Sequence, residues 1–481
     1  MFQRALLTDG DVEQIRDAAL QTLETAGMMF QSDVFLTALE KKGASVDRPK
    51  ERAMIPRSLV LEVIEAEAKA AAKPPDTDVP ELPSPGLPQV GGQVAQLLYD
   101  YDQTAARHPT REDFIRTIQF GEALHGDSGV GHVLIMHDVP QQIEPFEAQA
   151  LLIEHTRKPR GTVLYYGEQI DYAAEMGEIY CGDRQRFSAG GVFLTSPLRL
   201  CRRACGLMAR KIELGFNATA STMPVAGASV PATLAGAVTV AAAEILGAWT
   251  AYRALREDVS VSSGIAAGAV DMRTGAVSFC SPEAMLLNIG TVEFFRRLCG
   301  KPIGVAGASD YCNTKVPGLR AAMEKAHKVM TVAAFTGRHG GVGSGMVDAG
   351  KIFSPEQLII ERDVTAAVAR LFRPIETNES TIALDSILTV GQGIGTTHFE
   401  TEHTLEHYRE ALWSTDFPGM DTSTADHMDF DVERKILDKA HEVYEDTLTT
   451  YEPPEPDPDT LRAIRAVVEK ARRDLADRDV V

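Results

Sequence analysis

Between residues 131 and 306 the chain alternates short apolar runs with longer segments of helical periodicity. The runs that we predict as strands are 131–137, 161–166, 190–195, 217–222, 259–265 and 302–306, with a weaker run at 333–339. Such alternation is typical of a parallel sheet with helices on its faces. Seven strands fit an α/β fold of the (β/α)8 TIM-barrel type better than an open dinucleotide-binding sheet, and 97–99 is the candidate for the eighth strand.

Helical additions are predicted on both sides of this barrel. Residues 1–72 show helical spacing, with Thr8 as an N-cap candidate, and are predicted to form a helical N-terminal cap. Six prolines within 73–92 exclude a helix and predict a linker or an extended arm. The barrel is assigned to 93–400 and a helical C-terminal extension to 401–481.

Charge and composition exclude several classes of partner. The chain has 48 Lys and Arg against 68 Asp and Glu, and its net charge of −20 repels a nucleic-acid backbone. Its longest apolar runs, such as 232–243, stop short of the roughly 20 residues that cross a bilayer. Six cysteines in 481 residues do not form a disulfide framework. We therefore expect a cytoplasmic protein that binds neither nucleic acid nor membrane.

Two glycine clusters and a pair of cysteines carry weak chemical signals. The clusters at 340–345 and 391–395 match neither a P-loop nor a dinucleotide-binding pattern, so flexible turns at the barrel mouth are favoured over phosphate binding. Cys201 and Cys205 are four residues apart on a predicted helix, 197–214, where buried thiols are the simpler interpretation. Cys312 lies just past a predicted strand end.

His398, His403 and His407 are close enough in sequence to suggest a metal site. Thr404, however, is predicted as a helix N-cap, which would place His403 before the helix that carries His407. Solvated or capping roles are therefore favoured, and no metal ligand is assigned.

The carboxyl ends of barrel strands are where catalytic groups collect. Tyr165 and Tyr166 follow one predicted strand, Met223 follows another, and Asp310 and Tyr311 follow a third. These strand ends are rich in aromatic and acidic residues and poor in Lys and Arg. Aromatic faces and carboxylates stabilise an organic cation, although ordinary packing would also account for the tyrosines.

The segment 222–237, with Glu244 further along its predicted helix, resembles the hallmark segment of the trimethylamine methyltransferase superfamily. Other segments agree in the same order, and the resemblance covers essentially the whole chain. These segments are Ser196-Pro197-Leu198-Arg199, 271–276, Ser281-Pro282-Glu283, 307–310 leading to Lys315-Val316-Pro317, 354–358 and His403-Thr404-Leu405.

This resemblance implies a barrel enzyme that moves a methyl group from a methylated amine to the cobalt of a separate corrinoid protein. The chain contains only standard residues, so it resembles the non-pyrrolysine branch, whose members demethylate glycine betaine and related quaternary amines. None of the twelve histidines lies in the Asp-x-His-x-x-Gly context of a cobalamin-carrying domain. Cobalamin is therefore expected on the partner rather than bound permanently here, and we expect a homo-oligomer.

Methyl transfer from a quaternary amine releases a neutral amine, so it needs no general acid and no nucleophilic side chain. A suitable site desolvates the cation and orients one N–CH3 bond. No catalytic residue is assigned, and the predicted substrate-binding residues are Tyr165, Tyr166, Met223, Asp310, Tyr311, Arg338 and His339, the last two for a carboxylate tail.

Two other functions stay open. One is a barrel lyase or hydrolase that uses Asp310 and His339 as an acid/base pair. The other is a protein that binds or senses quaternary amines without turnover.

Overall fold

The computed structural model describes residues 5–72, 86–188, 190–307, 311–336, 341–371, 373, 375–391, 397–413, 415, 417 and 431–475. Over these residues the chain is a mixed α/β structure. Its α-helices are α1 Asp9–Thr25, α2 Asp33–Lys41, α3 Arg57–Ala71, α4 Arg111–His125, α5 Glu144–His155, α6 Gln169–Cys181, α7 Arg202–Glu213, α8 Leu234–Leu255, α9 Pro282–Cys299, α10 Leu319–Thr336, α11 Pro355–Arg370, α12 Glu379–Ile382, α13 Leu384–Val390, α14 Glu402–Ala411, α15 Val432–Thr449 and α16 Pro458–Leu475.

The strands are short. They are β1 Met28–Phe30, β2 Ser45–Asp47, β3 Arg52–Met54, β4 Leu97–Asp100, β5 Ala105–Arg107, β6 Val192–Leu194, β7 Arg199–Leu200, β8 Ala218–Thr222, β9 Val225–Ala226, β10 Val261–Ser262, β11 Gly264–Ile265, β12 Gly268–Val270, β13 Val277–Ser278, β14 Gly304–Val305, β15 Met346–Val347 and β16 Ile352–Phe353.

Parallel pairing runs through two series of strands. In the first, β16 pairs with β4, and single parallel bridges join Ala95 to Leu134 and Val130 to Pro159. In the second, β6 pairs with β8, β8 with β10 and β11, and β11 with β14. No backbone pairing joins the two series within the described ranges. The structure therefore shows two parallel arcs. In the first arc, β16, the last strand of the chain, lies beside β4.

The eighth strand, predicted at 97–99, is confirmed as β4, which pairs with β16. Three other strand predictions are wrong. Residues 333–336 continue α10, because Val329, Val332 and Ala333 form one buried helical face, while 337–339 lie outside the described residues. The runs 131–137 and 161–166 have no strand assignment, and only single bridges at Leu134 and Pro159 represent this part of the first arc.

The N-terminal region packs on the second arc as a continuous layer. As predicted, Thr8 caps α1, in a capping box with Asp11. The region also contains strands: β1 pairs antiparallel with β3 and parallel with β7. Because 199–200 form β7, the helix predicted over 197–214 begins only at Arg202. The buried Glu67 of α3 forms ion pairs with Arg253 and Lys301. The domain boundaries given above stay predictions.

Helix α8 is the centre of the larger hydrophobic core. It packs against α1, α2, α3 and α9, and its Trp249 and Tyr252 are fully buried. By length and composition alone it is the one described helix able to cross a membrane, yet 72% of its most apolar window is buried inside the structure. Such burial is what the core helix of a globular protein shows.

Candidate functional site

Four of the predicted site residues, Tyr165, Tyr166, Met223 and Tyr311, lie within the described part of the chain. Tyr165 and Tyr166 follow the segment that begins at the Pro159 bridge, Met223 directly follows β8, and Tyr311 comes six residues after β14. Asp310, Arg338 and His339 lie outside the described residues. The side chains of Tyr165, Tyr166 and Met223 are half-buried, whereas Tyr311 is buried.

Tyr165 and Tyr166 form an aromatic pair held by one buried glutamine. Their ring centroids are 6.5 Å apart and their planes are tilted by 56°. Gln169, at the start of α6, accepts hydrogen bonds from the backbone N–H groups of Tyr165 (2.7 Å) and Tyr166 (3.1 Å) through Oε1. Its Nε2 donates to the carbonyl of Gln142 at 3.0 Å. The glutamine thus fixes the turn that presents both rings.

A buried histidine–glutamate pair lies beside this turn, and the sequence analysis missed it. His132 Nε2 donates to Glu144 Oε1 (3.1 Å) and to the carbonyl of Leu134 (3.0 Å). The other ring nitrogen, Nδ1, accepts from the backbone N–H of Val163 at 3.4 Å. These partners assign a neutral imidazole with its proton on Nε2. The imidazole therefore links the two neighbouring strand segments of the first arc.

One oxygen of Glu144 is left without a partner. Oε1 also accepts from the backbone N–H of Met136 at 3.1 Å, but Oε2 is buried and has no hydrogen-bond partner in the structure. A buried carboxylate oxygen without a partner is costly. Burial raises the pKa of the Tyr165 hydroxyl, and the nearby Glu144 carboxylate raises it further. The Glu144 side chain therefore lies close enough to Tyr165 to affect the pKa of its hydroxyl.

Tyr311 lies in a tightly packed corner. Its ring meets Phe279 edge to face at a centroid distance of 5.1 Å. The ammonium group of Lys328, on α10, lies 5.7 Å from the centroid of the Tyr311 ring and donates to the carbonyl of Gly307 at 2.9 Å. Lys328 is 1% exposed. A cation is therefore present at this corner, and it comes from a helix, which the prediction based on strand ends did not consider.

Burial keeps the cysteines near this corner in the thiol form. Burial raises the pKa of the Cys312 thiol to about 12 and also raises that of Cys280. Cys280 Sγ donates weakly to the carbonyl of Tyr311 at 3.3 Å. Cys201 is the N-cap residue of α7 and is half-buried, whereas Cys205 is fully buried and burial raises its pKa to about 12. Since the thiolate is the reactive form, burial disfavours reactivity at Cys205, Cys280 and Cys312.

Glu244 of α8 ties together the ends of two strands in the second arc. Its fully buried carboxylate accepts from the hydroxyl of Thr222 at the end of β8. It also accepts from Ser196 Oγ (2.9 Å) and from the backbone N–H of Leu198 (2.8 Å), both after β6. Burial raises the pKa of this carboxyl, and the three hydrogen bonds oppose that shift. Met223 is thereby held at a fixed place beside Thr222.

The described part of the glycine cluster at 340–345 packs against the carboxylate of Glu361. Its residues from 341 onward are described. Gly345 N–H donates to Glu361 Oε2 at 2.7 Å, and Glu361 forms a fully buried ion pair with Lys325. A Cβ on Gly343, whose φ is +82°, would come within 1.9 Å of that oxygen. The flexible turn predicted here is therefore a packed loop. The second cluster lies mostly outside the described residues.

The three histidines serve the packing of short helices. Thr401, and not Thr404, is the N-cap of α14, so His403 lies inside that helix and shares a face with His407. His403 Nε2 donates to the carbonyl of Ser380 (3.1 Å), and Ser380 Oγ lies 3.2 Å from His407 Nε2. No group of three or more potential metal-ligating residues occurs within the described chain.

A cleft of about 610 Å³ is lined by Gly167 and Glu168, which directly follow the tyrosine pair, and by residues of α2, α6, α7 and α8. Its Arg210 is paired with Asp171 and with Glu213. None of the site residues that the structure describes lines it.

Comparisons with known proteins cover nearly the whole chain. The family model of trimethylamine methyltransferase (MTTB) matches residues 2–476. The trimethylamine methyltransferase MttB of Methanosarcina barkeri (strain Fusaro / DSM 804) is 28% identical over 315 residues, which cover 63% of this chain and 61% of that protein. The match thus spans about three fifths of the length of this relative.

Two bacterial relatives align from end to end. The trimethylamine methyltransferase MttB of Desulfitobacterium hafniense (strain DSM 10664 / DCB-2) is 23% identical and covers 98% of this chain and 94% of that protein. The glycine betaine methyltransferase of D. hafniense (strain Y51) is 21% identical and covers 98% of each chain. The crystal structure of the M. barkeri monomethylamine methyltransferase (MtmB) aligns over 98% of this chain and 94% of its own, with 12% identity and a TM-score of 0.39. Since the family model matches almost every residue, the chain belongs to the trimethylamine methyltransferase (MTTB) family.

Proposed function

We propose that the chain transfers a methyl group from a quaternary methylated amine, such as glycine betaine, to the Co(I) of a separate corrinoid protein. The observation that carries this proposal is the family match over residues 2–476. The end-to-end similarity to a glycine betaine methyltransferase, together with a sequence of standard residues only, is consistent with the non-pyrrolysine branch. The proposal places the protein in the cytoplasm, where corrinoid proteins can be kept reduced.

The fold that we propose for this reaction is a closed (β/α)8 barrel. Two parallel arcs are present, and the strand β16 lies beside β4, so the last parallel strand already meets the first. Closure requires that the segment after Pro159 meets β6 and that β14 meets β16. The strand ends that carry the tyrosine pair, Met223 and Tyr311 would then share one mouth, which is where barrel enzymes bind their substrates.

The aromatic pair is the part of the site best suited to a quaternary ammonium ion. Such an ion cannot donate a hydrogen bond, so it is recognised by aromatic faces and by diffuse negative charge. Tyr165 and Tyr166 present two rings tilted against each other, and the unpartnered Oε2 of Glu144 supplies charge nearby.

The proposed reaction needs no proton transfer and no nucleophilic side chain from the protein. The two electrons of Co(I) form the new Co–CH3 bond as the N–CH3 bond breaks, and the nitrogen keeps the electron pair of that bond and leaves as a neutral tertiary amine. No proton moves. The chain contributes desolvation of the cation and alignment of one methyl group with the metal. Both lower the activation free energy without a reacting side chain. A catalytic acid/base dyad is therefore not needed.

The test is incubation of the purified chain with photoreduced Co(I) cobalamin and a panel of donors: glycine betaine, choline, trimethylamine and a dimethylsulfonium compound. We expect methylcobalamin to form, measured by absorbance, with a quaternary donor and not with trimethylamine. Transfer only from trimethylamine would contradict the substrate class. A thermal shift with glycine betaine but no transfer would indicate a binding or sensing protein. Turnover of a donor without cobalamin would indicate a lyase or hydrolase.

A further inference from the structure

Two half-buried arginines near the amino ends of the first arc have no carboxylate partner. Arg160 directly follows the bridge at Pro159, and Arg362 lies in the middle of α11. Neither guanidinium group forms an ion pair with a carboxylate of the described residues, and burial alone shifts their pKa values, lowering both. Positive charge partly withdrawn from water without a counter-charge is unfavourable.

Other half-buried arginines of the chain are paired with acids. Arg107 binds Asp113 and Asp100, which raise its pKa, and Arg465 binds Glu147. The whole chain contains 68 acidic residues against 48 Lys and Arg. A shortage of acids therefore does not explain why the first two arginines are unpaired.

A buried N–H group of a histidine lies near the same two charges. His125, the last residue of α4, accepts from the backbone N–H of Val90 through Nε2 at 2.8 Å. The proton of the neutral imidazole is therefore on Nδ1, which is buried and has no hydrogen-bond partner in the part of the chain that the structure describes. Burial, together with the charges of Arg362 and Arg160, lowers the pKa of His125 to about 4.

Residues 88–90 bring these three groups together. The carbonyl of Pro88 accepts from Arg362 Nη1 at 2.6 Å, the side-chain carbonyl of Gln89 accepts from Arg160 Nη2, and the next residue is the one bound to the imidazole. Three consecutive residues span about 7 Å at most, so the three groups surround one short segment. Among the described ranges, hydrogen bonds occupy only one nitrogen of each guanidinium group.

We propose that Arg160, Arg362 and His125 form a binding site for a small oxyanion, such as phosphate or a phosphate monoester. Guanidinium groups bind oxyanions through parallel N–H donors, and a neutral imidazole N–H adds a further donor. Lys158, exposed beside Arg160, donates to the carbonyl of Asp127 at 2.8 Å and adds positive charge at the rim. A polyanion such as nucleic acid would be repelled by the net charge of −20, so the ligand is small.

The oxyanion site is separate from the proposed methyl-transfer site. It lies where the strand segments of the first arc begin, whereas Tyr165 and Tyr166 follow the end of one of them. An anion held there would join α4, α11 and the segment 88–90 through one ligand. Since a ligand that binds only the folded chain stabilises it, the expected effect is on stability and not on chemistry.

The experiment is calorimetric titration of the full chain with sodium phosphate, at an ionic strength kept constant with sodium chloride. We expect one saturable site per chain with a Kd below about 1 mM, and a higher unfolding midpoint in phosphate than in chloride. Glycerol 2-phosphate is titrated in parallel. Tighter binding of this ester would assign an organic phosphate to the site, and its failure to bind would assign the free ion.

Charge-neutralising variants locate the site. Arg160→Gln and Arg362→Gln should each raise the Kd about tenfold or more, because each removes a charge-assisted hydrogen bond. Arg362→Lys keeps the charge and should raise the Kd less. The control, Arg48→Gln, removes the same charge from an arginine that is paired with Asp33 and Glu40 in the N-terminal region, and should keep the Kd within about twofold.

A measurement on the wild type alone tests the third group. A bound anion favours the imidazolium form, so phosphate should raise the pKa of His125 above about 4, followed by the NMR shift of its ring proton. An unchanged pKa, no saturable binding to the wild type, or an equal loss of affinity in Arg48→Gln would overturn the proposal. Because these measurements use neither a methyl donor nor cobalamin, their outcome is independent of the proposed methyl transfer.

Discussion

The carboxylate of Glu244, in the middle of a core helix, accepts a hydrogen bond from the hydroxyl of Thr222 at the last position of β8. The same carboxylate holds the chain after β6 through Ser196 and Leu198. One buried side chain therefore sets the relative height of two neighbouring strand ends. This arrangement explains why Glu244 and the segments around Ser196 and Thr222 belong to one recognisable pattern although they are distant in sequence.

The first prediction concerns the pH dependence of stability at Glu244. Because burial raises the pKa of this carboxyl above that of the unfolded chain, it favours folding below about pH 4.5 and loses that contribution as the pH rises through the folded-state pKa. The free energy of unfolding of the wild type should therefore fall relative to that of Glu244→Gln from about pH 4.5 upward. Above the folded-state pKa, the difference between the two proteins should stay constant. Urea unfolding of both proteins across this range measures the difference, and parallel curves throughout would contradict the shift.

The second prediction concerns the aromatic wall. Tyr165→Phe keeps the ring face and should leave the KM for glycine betaine within about threefold, whereas Tyr165→Ala should raise it about tenfold, since cation–π contacts contribute about 0.5–2 kcal/mol. Methylcobalamin formation at varied donor concentration gives both values. Tyr180→Ala serves as the control, because Tyr180 lies on α6 and packs on Phe187. An equal rise in KM for the control would show that the effect of Tyr165→Ala does not come from contact with the substrate.

The third prediction concerns the buried glutamine behind the tyrosines. Gln169→Leu leaves the backbone N–H groups of Tyr165 and Tyr166 without their acceptor, so we expect a loss of about 2–4 kcal/mol in the free energy of unfolding and a higher KM. Gln169→Glu keeps the oxygen acceptor for both N–H groups, so its KM should rise less, although its second oxygen meets the carbonyl of Gln142 and stability should still fall. If the two variants have the same KM, the glutamine does not position the rings.

The fourth prediction concerns the glycine loop around Glu361. Gly343→Ala places a Cβ against the Glu361 carboxylate at a positive φ, and breaking the buried pair with Lys325 should cost about 3–5 kcal/mol. Gly206→Ala, on α7, meets nothing within 4 Å and should be neutral or stabilise by about 0.5–1 kcal/mol. Thermal unfolding of both variants checks this, and a wild-type midpoint for Gly343→Ala would be inconsistent with the loop geometry.

The sequence predicted local features well where one short-range signal decides the structure. The capping box at Thr8 and the strand at 97–99 follow from cap chemistry and from a buried apolar run. The predicted run at 333–339 failed over 333–336, because β-branched residues such as Val332 also fit the buried face of a long helix. Only tertiary packing decides between these two structures.

The site residues stay a prediction, and the sequence marks only some of the groups that surround them. Aromatic residues at strand ends can be read from the sequence, and they led to Tyr165 and Tyr166. The cation Lys328 was missed because it reaches Tyr311 from α10, and nothing in the local sequence marks that contact. The pair of His132 and Glu144 has only a weak sequence signal, which is a histidine inside an apolar run. Its partner Glu144 lies on α5, so the pair can be recognised only from the tertiary structure.

The pairing of β1 with β7 has a consequence for synthesis of the protein. Met29 and Phe30 find their parallel partners at Arg199 and Leu200, about 170 residues later. During translation, β1 can pair with β3 early, but its other edge has no partner until the segment near residue 200 has been synthesised. Chaperone contact with the nascent N-terminal segment would protect it during that interval.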